Sequence, residues 1–189
     1  MMGGDLEYTM SSLPYLSFQN TDKERERVLG LLKKYAGPAA EEQSPVEILD
    51  GEAQQFLPAS RFDIFQKINL KNIHEEIFRE NKSQVLSAYS TFIFLLKNDI
   101  KTWRTAKNEH DKKSAQNKIE NISGDGTPLE KEIQLMKYQW SRLEEFSAGH
   151  FADMEALFAY KIKLLILLRW WSFDAEKGLD NFNEITASD

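Results

Sequence analysis

Cysteine is absent from this 189-residue chain, which removes disulfides, thiolate zinc sites, iron–sulfur clusters and cysteine nucleophiles together. A reducing, cytoplasmic setting fits that composition. Histidine is scarce, with only His74, His110 and His150. Long apolar runs are missing too: Leu164 to Leu168 ends at Arg169, far short of the ~20 residues that cross a bilayer. The opening stretch, MMGGDLEYTMSSLPYL, lacks the basic start and continuous apolar core of a secretory signal, so no export is expected. Nor is there an excess of positive charge. Thirty acidic residues face 24 basic ones, for a net charge of −6 with both signs interspersed. The most basic patch, Lys107 to Lys118, also holds Glu109 and Asp111 and reads as a solvated helix face, which argues against duplex nucleic acid as a partner.

What is present is helical periodicity. Residues 1–20 read as an extended N-terminal arm, because Leu6 to Phe18 alternates loosely and contains Pro14. Thr21 with Glu24 forms a capping signature ahead of Val28, Leu31, Leu32 and Tyr35, and Gly37-Pro38 closes a helix over about Asp22 to Ala36. Ala39 to Pro58, with Pro45, Gly51 and Pro58, reads as a loop containing at most a helical turn. Helical spacing resumes at Ser60, with Asn69 or Asn81 as a break. A long helix is expected over about Ser83 to Lys113, its stripe Val85, Tyr89, Phe92, Ile93, Leu96, Ile100 and Trp103, its polar end beyond Arg104 projecting. Asn121 to Thr127 is the clearest turn. Thr127, Pro128 and Glu130 then supply N-cap, first-turn proline and capping glutamate for a helix with the stripe Leu129, Ile133, Met136, Trp140 and Leu143, ending near Gly149.

The segment after Phe151 is apolar nearly all round. Phe158, Ile162, Leu165, Ile166 and Phe173 fall on one face and Tyr160, Leu164, Leu167 and Trp171 on the other, so this helix is packed on two sides. Gly178 either stops it or bends it toward Leu179, Phe182 and Ile185. The fold expected is an all-α, elongated bundle of helix hairpins packed on a long C-terminal helix. Residues 21–189 form one helical domain, or two subdomains divided near 121–128.

Chemistry-bearing patterns are sparse. None of the three histidines completes a Glu-x-x-His pair, since Lys71, Lys107 and Ser147 stand three residues before them, so no metal or other cofactor is expected. Gly124-Asp125-Gly126 is followed by neither a phosphate-loop lysine nor a dinucleotide fingerprint. No Gly-x-Ser-x-Gly elbow occurs, and Glu41-Glu42 and Glu144-Glu145 read as solvated surface. No catalytic residue is therefore named. Trp170, Trp171 and Phe173 are either core or an interface anchor, tryptophan being favoured in both. Arg169 shares a face with Ile162, Leu165 and Phe173. It needs a hydrogen-bonded acid, either on the helix carrying Glu144 and Glu145 or on a partner subunit.

Two stretches, Tyr8 to Leu16 (YTMSSLPYL) and Leu168 to Gly178 (LRWWSFDAEKG), resemble an uncharacterised bacterial family whose genes accompany those of V-type ATPases. The matching positions are Tyr8, Ser12, Leu13 and Pro14, then Arg169, Trp170, Phe173, Asp174, Glu176, Lys177 and Gly178. That family looks like a stand-in for the V-type or A-type ATPase subunit called C or d. The resemblance implies an all-helical, non-catalytic, cytoplasmic subunit that seats the central rotor stalk on the proteolipid ring. It would serve ATP-linked ion or proton transport and meet the membrane only through its partners. The chain is short for that subunit. A stand-alone helical adaptor gripping a partner helix with Phe151, Phe158 and Trp171 is the competing expectation, and an enzyme built around a bundle pocket is the third.

Overall fold

The computed structural model of the chain describes residues 6–37, 42–106 and 126–173. These hold eight α-helices and no strand: α1 Leu6–Ser12, α2 Asp22–Ala36, α3 Pro45–Phe56, α4 Ala59–Lys67, α5 Glu76–Arg79, α6 Gln84–Thr105, α7 Pro128–Phe146 and α8 Met154–Trp171. The helices pack against one another, and α8 touches α1, α3, α6 and α7, as its two-sided apolar surface requires. Leu157, Ile162, Leu164, Ile166 and Leu167 are all at most 1% exposed along it. Burying each stabilises the fold by roughly 1.5–3 kcal/mol against leaving it in water. One apolar cluster runs from Leu13 through Leu32, Leu49, Phe65 and Tyr89 to Leu143 and Leu167.

Two expectations are corrected. The N-terminal arm is not extended throughout. Leu6, Met10 and Leu13 follow i, i+4, i+7 spacing, so α1 turns them toward the core, and Pro14 ends it. Ser11 and Ser12 also donate their hydroxyls to the Tyr8 carbonyl at 2.8 Å, one turn back along α1. Only residues 13–20 form a strap without helix.

The expected loop before Pro58 instead contains α3, twelve residues long. Its start is the same device as that of α7. Ser44 accepts from the Glu47 N–H at 3.2 Å while the Glu47 carboxylate accepts from the Ser44 N–H at 2.7 Å, and Pro45 fills the first turn. Gly51 lies inside this helix, where it costs propensity without breaking the ladder.

Residues 59–105 are three helices. Asn72 caps the gap after α4, its Oδ1 accepting from the Asn69 N–H and its amide donating to the Lys67 carbonyl. Ser83 then starts α6, and Glu155 of α8 crosses to accept from the Ser83 hydroxyl at 2.5 Å and the Val85 N–H at 2.9 Å. A carboxylate from another helix thus supplements the N-cap of α6, where the helix dipole favours negative charge. The expected projecting end of α6 beyond residue 106, the turn at 121–125 and any bend after Gly178 lie outside the described residues.

Candidate functional site

The strap, α7 and the end of α8 meet at one end of the molecule. Three backbone carbonyls hold the strap: Tyr160 donates to Pro14 at 2.9 Å, Arg27 to Tyr15 at 2.6 Å, and Trp171 Nε1 to Gln19 at 2.9 Å. Ser17 adds a 2.7 Å bond to Glu24, the carboxylate that also grips Arg27. The Arg27 hydrogen bonds outweigh the cost of burial and, with Ser17, hold Glu24 at about 2 instead of the ordinary 4.5. Burial pushes the Tyr160 phenol above its ordinary range, so it stays a donor at any physiological pH.

Aromatic rings complete the joint. Phe18 stacks on Trp170 at 4.3 Å between centroids and tilts against Trp140 at 5.6 Å. Beside them opens a groove of about 520 Å³, walled by Tyr15, Phe18 and Trp170 on one side and Ile133, Lys137 and Trp140 of α7 on the other. Tyr15 is 75% exposed at its rim. Lys163 lies 5.1 Å from the Trp140 ring and pairs with Glu144 at 3.3 Å, so the groove has an apolar floor and a charged margin.

Of the residues singled out from sequence, Arg169, Trp170, Trp171 and Phe173 lie at the end of α8 that forms this joint. Trp170 and Trp171 are partly buried, and the strap, not a free surface, receives them. Arg169 is about half exposed and bonds Glu132 of α7 through Nε at 3.0 Å and Nη2 at 2.7 Å, with the Phe173 ring 5.9 Å away. The acid therefore stands on the helix carrying Glu144 and Glu145, three turns earlier, in a solvent-facing pair. Asp174 lies outside the described residues. Among the adaptor anchors, Phe158 is 2% exposed and cannot grip a partner, while Phe151 is 82% exposed.

Sequence reasoning overlooked a second polar feature, the buried cation. Lys161, 0% exposed, donates to Asp50 of α3 at 2.6 Å and to the Phe65 carbonyl of α4 at 2.8 Å, with the Phe65 ring 4.5 Å away. Burial pushes Asp50 up and Lys161 down, each opposed by the attraction of the other. The signal was available: Lys161 stands three residues after Phe158 on an apolar face, so it needed an acid. Which acid could not be read. His74 faces Lys97 at 2.9 Å and His150 faces Asp153 at 2.6 Å. Among the described residues no group of three or more His, Cys, Asp or Glu is placed to hold a metal ion. No described helix is long and apolar enough to cross a membrane.

Residues 111–188 match the family described as a protein of unknown function (DUF2764), a span that takes in α7, α8 and the Arg169 to Asp174 segment. Comparison with curated proteins and with solved structures yields no match.

Proposed function

We propose that the chain is a non-catalytic, peripheral subunit of a V-type ATPase that couples the central rotor stalk to the membrane proteolipid ring. One observation carries the reading. The described parts of the two stretches that bear the resemblance, Tyr8 to Leu16 and Leu168 to Phe173, lie some 150 residues apart yet are held to the same pair of elements, Pro14 by Tyr160 of α8 and Trp170 by Phe18 of the strap. Segments kept together at a surface suit a docking face better than two independent helix ends would. The packing of α8 against four helices supports a stiff body, and stiffness matters because a soft coupler stores torque as distortion. In this role the protein performs no chemistry, stays cytoplasmic and reaches the membrane through its partners.

The aromatic groove favours a second reading, a stand-alone adaptor that seats a partner helix against Tyr15, Phe18 and Trp140. A pull-down of the tagged chain at native expression, with mass spectrometry of the retained proteins, separates the two. Stalk and proteolipid subunits are expected to be retained and then lost on Tyr15→Ala with Lys137→Glu, at unchanged melting temperature. Retention of other proteins without any ATPase subunit, from lysates in which the ATPase is intact, would leave only the adaptor.

A further inference from the structure

A second cleft, of about 450 Å³, lies between α4, α5, the turn before α6 and Phe158 of α8, and shares no lining residue with the groove beside the strap. Its lining combines two cations, Arg61 and Lys82, with the Glu80 carboxylate, the Asn81 amide and an apolar wall of Ile77 and Phe158. Among the described residues neither cation has an ion-pair partner, and the one contact of the Arg61 guanidinium is the Met154 sulfur at 3.4 Å. A guanidinium carries five donors and only one of these has a protein partner, which leaves the others to solvent or to a ligand. Asn81 accepts from the Ser83 N–H through Oδ1, which leaves its amide nitrogen to donate. Ile77 is 46% exposed at the cleft, an apolar surface with no covering side chain.

We propose that this cleft binds a monoanionic carboxylate attached to an apolar group. Charge decides between anions. Two cations and one carboxylate leave the lining at +1, which neutralises a monoanion in full but the dianionic form of phosphate only by half, and the Glu80 carboxylate opposes the second negative charge. The planar Arg61 fork suits a carboxylate, Lys82 and Asn81 add point donors, and Ile64 and Ile77 take the hydrocarbon. The volume falls within the range of small-molecule sites.

Titration of the full chain, followed by amide chemical shifts, tests the assignment with hexanoate, hexanol and inorganic phosphate as probes. Hexanoate is expected to give saturable shifts at residues 60–61, 77 and 80–82, with hexanol at least about tenfold weaker, the value of one charge-assisted hydrogen bond. Arg61→Gln should weaken hexanoate by about the same factor. Ile77→Ser should weaken hexanoate while leaving acetate unchanged, and Glu80→Gln should admit phosphate. All three positions are at least partly exposed, so the variants fold. N-acetyl-leucine separates the sources of such a ligand: tighter binding than hexanoate assigns the cleft to the carboxylate end of a peptide, weaker binding to a free acid. Absence of saturable shifts with hexanoate, equal binding of hexanol, or tighter binding of phosphate by the unaltered chain would each overturn the proposal.

Discussion

Two cations eight residues apart on α8 meet opposite fates. Lys161 sits where α3 and α4 close over the helix, wholly buried, with Asp50 and a backbone carbonyl at hydrogen-bond distance. Arg169, near the last turn, pairs with Glu132 in solvent. Both are ion pairs between helices, yet only the first is obligatory. Leaving a charge unpaired in a low-dielectric interior costs several kcal/mol, while water replaces a lost surface partner almost without loss.

Breaking that contrast gives the largest effect. Asp50→Ala, which strands the Lys161 ammonium, should destabilise the protein by about 3–5 kcal/mol in denaturant unfolding. Asp50→Leu with Lys161→Met should recover most of it, because removing both charges removes the desolvation cost. If the double variant is no better than the single one, the pair contributes packing that its apolar replacement cannot supply. Arg169→Met should change stability by no more than about 1 kcal/mol. That variant also separates a structural pair from an interface residue, since loss of partner binding at unchanged melting temperature assigns Arg169 to the interface.

A third buried polar group sharpens the rule. The Tyr89 hydroxyl is buried without a hydrogen-bond partner among the described residues, and burial pushes its pKa far up. Tyr89→Phe is therefore expected to raise stability by about 1 kcal/mol in the same unfolding assay, against the usual direction of core substitutions. Cap removal belongs to the same size class. Ser44→Ala and Thr127→Ala should each cost about 1 kcal/mol, and roughly equal losses would show that α3 and α7 depend equally on their starts.

The strap supplies the smallest and most specific effect. Glu24 titrates lower folded than unfolded, so its contribution is complete above about 4.5 and disappears as the pH falls toward about 2. Tryptophan fluorescence, which reports Trp170 and Trp171 against the strap, should change across that window. In Glu24→Gln the dependence should flatten there, while a profile identical to that of the unaltered chain would show that other carboxylates control the strap.

Much of the helical architecture was legible from local signals. Thr127-Pro128-Leu129-Glu130 announced α7, and Thr21 with Gly37 bracketed α2 to the residue. Ser44-Pro45-Val46-Glu47 carried the same signature as α7, but proline and glycine density around it suggested a loop, so α3 was missed. A seven-residue helix such as α1 gives too few repeats for its period to be distinguished from alternation. The two-sided character of α8 was visible in its residues, whereas its neighbours were not. Pairing of Lys161 with Asp50, and of the strap with Trp171, joins residues 111 and 152 apart, and nothing local encodes those distances.

That last separation has a consequence during synthesis. The strap leaves the ribosome long before the tryptophan that will bind Gln19. At about 5–20 residues per second the wait is roughly eight to thirty seconds. Throughout that interval Arg27 and Glu24 of α2 can already hold Tyr15 and Ser17, while the Phe18 ring still lacks the tryptophans that will cover it. The half of the strap joint made by Trp170 and Trp171 therefore forms only after translation has passed Trp171.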